Sequence, residues 1–182
     1  MQKPNVSSEL INLTLMQAGL SMSQEKVVLI GMRRGALGEH VGTFDDAFVW
    51  VSQAANQVNL AASVFNGNTD PSREFPHVAN LKPGVWLYGP GIHHGMSGNP
   101  PYPAYVQAGD VTVKRYVDGK NWTEDTGEFG IHIHHGGLGT SSLGCQTVPL
   151  EQWEAFKKLG DTLLAQASKK VFKYVLVEGG AV

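Results

Sequence analysis

FGIHIHHGGLGTSSLGCQTVP, residues 129–149, holds the only cysteine of the chain, Cys145, and three of its seven histidines. Residues 130–134 alternate small or apolar with polar side chains, which predicts a short strand with His132 and His134 on one face. Gly136, Gly137 and Gly139 then let the backbone turn sharply. Gly144 stands directly before the thiol, where the backbone can approach closely. A cysteine near a histidine is the minimum set for nucleophilic catalysis: the imidazole takes the thiol proton and the sulfur attacks a carbonyl. Free cysteine also serves as a small buried hydrophobe. The density of glycine and histidine around this one favours chemistry over packing.

The segments outside this stretch predict a mainly β domain. VVLIG (27–31), FDDAFVWVS (44–52), LAASVF (60–65), LKPGVWLY (81–88), AYVQA (104–108), VTVKRYV (111–117) and KYVLVE (173–178) read as strands separated by turn residues. Asp45-Asp46 is assigned a turn or strand-start role. Gly109-Asp110 reads as a tight turn, Asp118-Gly119 as another, and His40 as a solvated loop histidine. Residues 89–103 carry four glycines and four prolines and predict a long irregular loop, with His93-His94-Gly95 inside it. Two helices frame the strands. The first is capped by Ser7 or Ser8 and spaces Leu10, Leu13 and Met16 as its apolar face. The second starts after Pro149 and buries Trp153 and Phe156. The expected architecture is a β-sandwich or partly closed barrel with an N-terminal helix and one late helix, divided as a helical extension over 1–25 and a single catalytic domain over 26–182.

Bulk properties narrow the function classes. The net charge of −2 gives no basic surplus for nucleic acid. No run approaches the roughly 18 apolar residues of a membrane helix, so no membrane insertion is expected. One cysteine excludes an intramolecular disulfide framework and a multi-cysteine zinc site. The first 22 residues lack the charge and apolar run of a signal peptide, which implies synthesis in the cytoplasm.

At residues 134–145 the chain resembles the catalytic signature of L,D-transpeptidase (YkuD-type) domains: a histidine–glycine pair closing a strand, a variable loop, then Ser/Thr-x-Gly-Cys. Phage-encoded members of that family carry an Ile-Asn-Ile-His-Arg-Gly-Gly run, to which residues 131–137 are similar. NTDPS (68–72) and the LKPGVW run also resemble segments of those relatives. The resemblance implies Cys145 as nucleophile, Ser142 as the motif hydroxyl and Gly144 as the motif glycine, with N–H groups around Gly144-Cys145 holding an oxyanion. It implies His134 as the base, with His135, directly followed by Gly136, as the alternative. His132, Gln146 and His94 are placed as supporting or substrate-binding residues. His94 matches a histidine–glycine pair of the phage relatives. Gln146-Thr147 departs from the family's aliphatic–arginine pair. The implied substrate is the peptidoglycan stem peptide, attacked without a cofactor in the periplasm or cell wall after delivery. The phage-like segments imply a lytic role.

Two rival classes stand beside this one. A zinc peptidase would use His94, His132 and His134, but it leaves Ser-x-Gly-Cys unexplained and has no carboxylate at recognisable spacing. A non-catalytic wall-binding or phage structural module would keep a degenerate site.

Overall fold

The computed structural model describes residues 4–35, 42–54, 59–71, 78–95, 100–118, 121–137 and 139–179. His40, Ser72 and the turn at Gly119 lie outside them. Two short helices, α1 (Ser8–Gln17) and α2 (Met22–Glu25), precede strands β1 (Val27–Arg33), β2 (Asp46–Ser52), β3 (Ala61–Gly67), β4 (Ala79–Leu81), β5 (Gly84–His93), β6 (Tyr102–Gln107), β7 (Val111–Asp118), β8 (Asn121–Gly127), β9 (Ile133–His135) and β10 (Gln146–Val148). Helix α3 (Leu150–Gln166) and strand β11 (Phe172–Glu178) follow.

Eight strands form one sheet in the order β10-β9-β6-β5-β11-β1-β2-β3, and β4-β7-β8 form a second, smaller one. An isolated bridge between Asn68 and Thr147 ties the chain just past β3 to β10, so the large sheet curls into a nearly closed barrel. The expected mainly β architecture is therefore present, at the level of a barrel-like sheet with few helices.

Each face of the sheet has its own core. Alternation along β1 and β2 sends Leu29, Phe48 and Trp50 to one side, and Val28, Ile30, Met32, Val49 and Val51 to the other. The first side packs aromatic on aromatic: Trp50 meets Phe172 at 5.0 Å, Tyr105 at 5.5 Å and Phe156 of α3 at 5.5 Å between centroids. Gly160 lets α3 seat there, since a Cβ at that position would stand 2.4 Å from the Trp50 ring. The other side is covered by α1, which the Ser7 hydroxyl caps by accepting from Leu10 N at 3.2 Å.

Five expectations are corrected. The buried face of α1 is Ile11, Thr14 and Leu15, not the line through Leu13 and Met16, which is 69% exposed at Met16. The 81–88 run is broken at Lys82-Pro83: Leu81 pairs with Val113 in the small sheet, while Val85 pairs with Val175 in the large one. The strands on either side of Gly109-Asp110 do not pair with each other but belong to different sheets. Residues 89–93 are not loop. They extend β5 against β6, and Pro90 is accommodated because β11 pairs with β5 only as far as Tyr88, leaving one edge without a ladder partner. The polar stretch 121–127 is also a strand, β8, whose side chains from Trp122 to Thr126 face solvent and form ion pairs such as Lys82–Glu124 and Arg115–Asp125.

Candidate active site

The site lies where β5, β6, β9 and the segment entering β10 converge. β9 and β10 run parallel with Gln146 opposite Ile133, which returns the chain to the start of β9 and sets Cys145 beside residues 130–132. The Cys145 Sγ receives the His132 backbone N–H at 3.4 Å and lies 3.4 Å from the Gly130 carbonyl oxygen, to which the thiol donates. The loop before it is held by Ser142. Its hydroxyl donates to the Cys145 carbonyl at 2.6 Å and accepts the Gly144 N–H at 2.9 Å. Gly144 has φ +145°, and a Cβ there would meet the Ala79 carbonyl oxygen at 2.5 Å. The motif glycine is thus required by a close backbone approach. Its N–H is already bound to the Ser142 hydroxyl, so the Gly144 amide expected to help hold an oxyanion is engaged within the loop.

His134, 4% exposed, provides the nearest buried imidazole. Its Nδ1 lies 2.6 Å from the carbonyl oxygen of His135, which can only accept, so Nδ1 carries the proton and Nε2 keeps its lone pair. The Tyr102 hydroxyl stands 3.0 Å from the same Nδ1. A ring nitrogen of His134, one of His93 and the Cys145 sulfur all lie within 4.8 Å of one another. His93 stacks on His134 and hydrogen-bonds His132 through the two Nδ1 atoms at 3.0 Å. His135, the alternative base, instead bonds the Gly136 carbonyl oxygen through Nδ1 at 2.8 Å and stacks on Tyr102 at 4.2 Å.

Burial sets the protonation states. Desolvation, then the neighbouring His93, lowers His134 to about 3. Desolvation and the neighbouring histidines lower His132 to about 4 and also lower His93. Desolvation pushes the Cys145 thiol up to about 11, against a smaller lowering by the His132 N–H. The resting pair is a thiol and a neutral imidazole. Beside it opens a cavity of about 550 Å³ lined by His93, Tyr102, His134, His135 and Ser141, among others, with no acidic side chain or lysine or arginine among the described residues of its wall.

Of the residues singled out in the sequence, the structure brings together Cys145, His134, His132, Gly144 and Ser142. Gln146 is fully buried behind the site, where its amide donates to the carbonyls of Gly144 and Thr69 and accepts from the Tyr174 hydroxyl. It supports the loop and does not line the cavity beside His134. His94 is exposed, and its neighbour His93 occupies the site in its place. The zinc triad expected from His94, His132 and His134 is therefore not the set that assembles; His93, His134 and Cys145 are. Sequence reading missed His93 and Tyr102 as site residues. They are opposite one another across the β5–β6 pair, a relation hidden by taking residues 89–103 as loop.

Fold and site together define a mainly β scaffold that carries a desolvated cysteine–histidine centre at the mouth of a neutral cavity. Comparison with protein-family models, with curated proteins and with solved structures found no match.

Proposed function

We propose that this chain is a cysteine acyl-transfer enzyme of L,D-transpeptidase type acting on peptidoglycan stem peptides. One observation carries the chemistry: a ring nitrogen of His134 lies within 4.8 Å of the Cys145 sulfur, and the contact of Nδ1 with the His135 carbonyl leaves Nε2 as the unprotonated nitrogen. A backbone carbonyl does here what a carboxylate does in a triad, holding the tautomer and the ring plane. Support for the substrate class comes from the Ser-x-Gly-Cys resemblance.

In the proposed reaction the thiol proton passes to His134 Nε2 as Sγ bonds to a peptide carbonyl carbon. The Cys145 N–H stabilises the oxyanion, a donor worth about 3 kcal/mol in comparable sites. Collapse breaks the C–N bond, the departing amine takes the proton from His134, and a thioester remains. Water or an amine then adds to the thioester carbon as His134 takes its proton; the C–S bond breaks, the proton passes from His134 to the Cys145 sulfur, and an acid or a new amide is released. The proposed setting is the cell wall, and hydrolysis fits a lytic role.

The test is incubation of the protein with sacculi and isolated muropeptides, read by mass spectrometry beside Cys145→Ala and His134→Ala. Stem-peptide cleavage or exchange that disappears in both variants is expected. Turnover that survives in Cys145→Ala removes the cysteine mechanism.

A further inference from the structure

We propose that His93, His134 and Cys145 form a binding site for a thiophilic divalent cation of zinc type, and that its occupancy blocks acyl transfer. The binding half stands on the cluster alone. The blocking half rests on the acyl-transfer reading.

Two imidazoles and a thiolate are a donor set suited to zinc-like ions, whereas calcium and magnesium need oxygen ligands that this cluster lacks. The three donor atoms lie within 4.8 Å of one another. Around a tetrahedral zinc, bonds of about 2.0 Å to nitrogen and 2.3 Å to sulfur set donors roughly 3.3–3.5 Å apart. Closing the cluster on an ion draws the donors together by about an ångström and opens the His93–His134 stack, so that the lone pairs in the two ring planes meet at the metal.

The outer shell of such a site is already built. A ligating histidine characteristically has its other ring nitrogen engaged by a fixed partner. His134 engages Nδ1 with the His135 carbonyl, and His93 engages Nδ1 with His132. With the Nδ1 proton donated in each contact, to the His135 carbonyl by His134 and to His132 Nδ1 by His93, Nε2 is the nitrogen left for the ion. The cavity against His93 and His134 provides an entry path and room for a water as fourth ligand. Coordination displaces the thiol proton to the buffer, and it takes up the sulfur and the basic nitrogen that acyl transfer needs.

Cobalt(II) tests the site directly, because a thiolate ligand gives it an intense near-ultraviolet charge-transfer band and tetrahedral geometry gives strong visible bands. Titration of the intact chain should saturate at one ion per chain. Cys145→Ser should lose the charge-transfer band, and His93→Ala should weaken binding at least about tenfold, with His94→Ala binding as the wild type does. Near-ultraviolet circular dichroism checks that each variant is folded. No charge-transfer band with the folded wild type, or one that persists in Cys145→Ser, overturns the binding. Wild-type affinity in His93→Ala overturns the ligand set. Zinc added to a muropeptide assay should abolish turnover in step with occupancy and EDTA should restore it; stimulation by zinc overturns the blocking. The cobalt titration contains no substrate, so a protein inactive on muropeptides still reads out the ion site, and the two proposals fail separately.

Discussion

The imidazole of His93 lies flat on that of His134, with centroids 4.1 Å apart and planes 24° from parallel. The contact spans β5 and β9, strands that do not pair with each other; β6 lies between them in the sheet. It fixes the ring plane that the His135 carbonyl fixes from the other end. A stacked pair is worth about 0.5–1.5 kcal/mol, and the His93–His132 hydrogen bond about as much again. His93→Ala is therefore expected to lower kcat/KM on muropeptides by roughly five- to a hundredfold. His94→Ala, on the exposed neighbour, should stay within about twofold. Steady-state kinetics on the two variants check this, and a larger loss in His94→Ala would return the role to that residue.

Tyr102 acts on the same two histidines in two separable ways. Its hydroxyl reaches His134 Nδ1 at 3.0 Å, and its ring stacks on His135 at 4.2 Å. Tyr102→Phe keeps the stack and removes one hydrogen bond, so kcat should fall about two- to tenfold with KM little changed. Tyr102→Ala should lose more, because the cavity wall goes with the ring. Equal kinetics for the two variants would mean the hydroxyl alone matters.

Gly144 tests whether the motif loop is set by backbone geometry. A Cβ there would press on the Ala79 carbonyl at 2.5 Å, and φ +145° is a conformation alanine rarely adopts. The strained backbone and the clash each cost about 1–3 kcal/mol. Gly144→Ala should lower Tm by roughly 5–15 °C in thermal denaturation. An unchanged Tm would show that the loop and β4 can move apart freely.

The sequence was most legible where period and chemistry agreed. The fully buried β1 and the helix after Pro149 follow from local pattern, and Ser142, Gly144 and Cys145 from their spacing. What failed were features decided by distant partners. Nothing near Pro83 says that β4 will join one sheet and β5 another. Pro90 and its flanking glycines look like loop because the single-sided pairing that admits them is made by the end of β11. The helical face of α1 was misread by one position in register: Leu10, Leu13 and Met16 are as well spaced as Ile11, Thr14 and Leu15, and only the sheet surface selects between them. Leu15→Ala is accordingly expected to cost about 2–4 kcal/mol and Leu13→Ala well under 1, by urea denaturation. Choosing His93 over its neighbour needed the same kind of information, the β5–β6 register.

Asp46, read in sequence as a strand-start residue, is buried at the end of β2. One carboxylate oxygen accepts from Arg34 N at 2.7 Å, and the other accepts from the Thr69 N–H and hydroxyl at 2.6 and 2.7 Å. Burial outweighs these bonds and raises its pKa from 3.8 to about 6, with the nearby Asp70 adding to the rise; Arg33, bonded to Thr69, is the cation of this network. The native state thus holds the Asp46 proton more tightly than the unfolded chain. The stability this contributes is full below about pH 4, declines as pH rises, and is lost above about pH 6. The difference is about 3 kcal/mol. Asp46→Asn cannot titrate, and it exchanges one accepting oxygen for a donor facing Thr69, which lowers stability by an offset independent of pH. The stability of wild type minus that of Asp46→Asn, from urea denaturation at steps between pH 4 and pH 7, should therefore fall by about 2–3 kcal/mol as pH increases. A difference that stays flat, or rises with pH, would mean that the three hydrogen bonds outweigh burial and that Asp46 is ionised throughout.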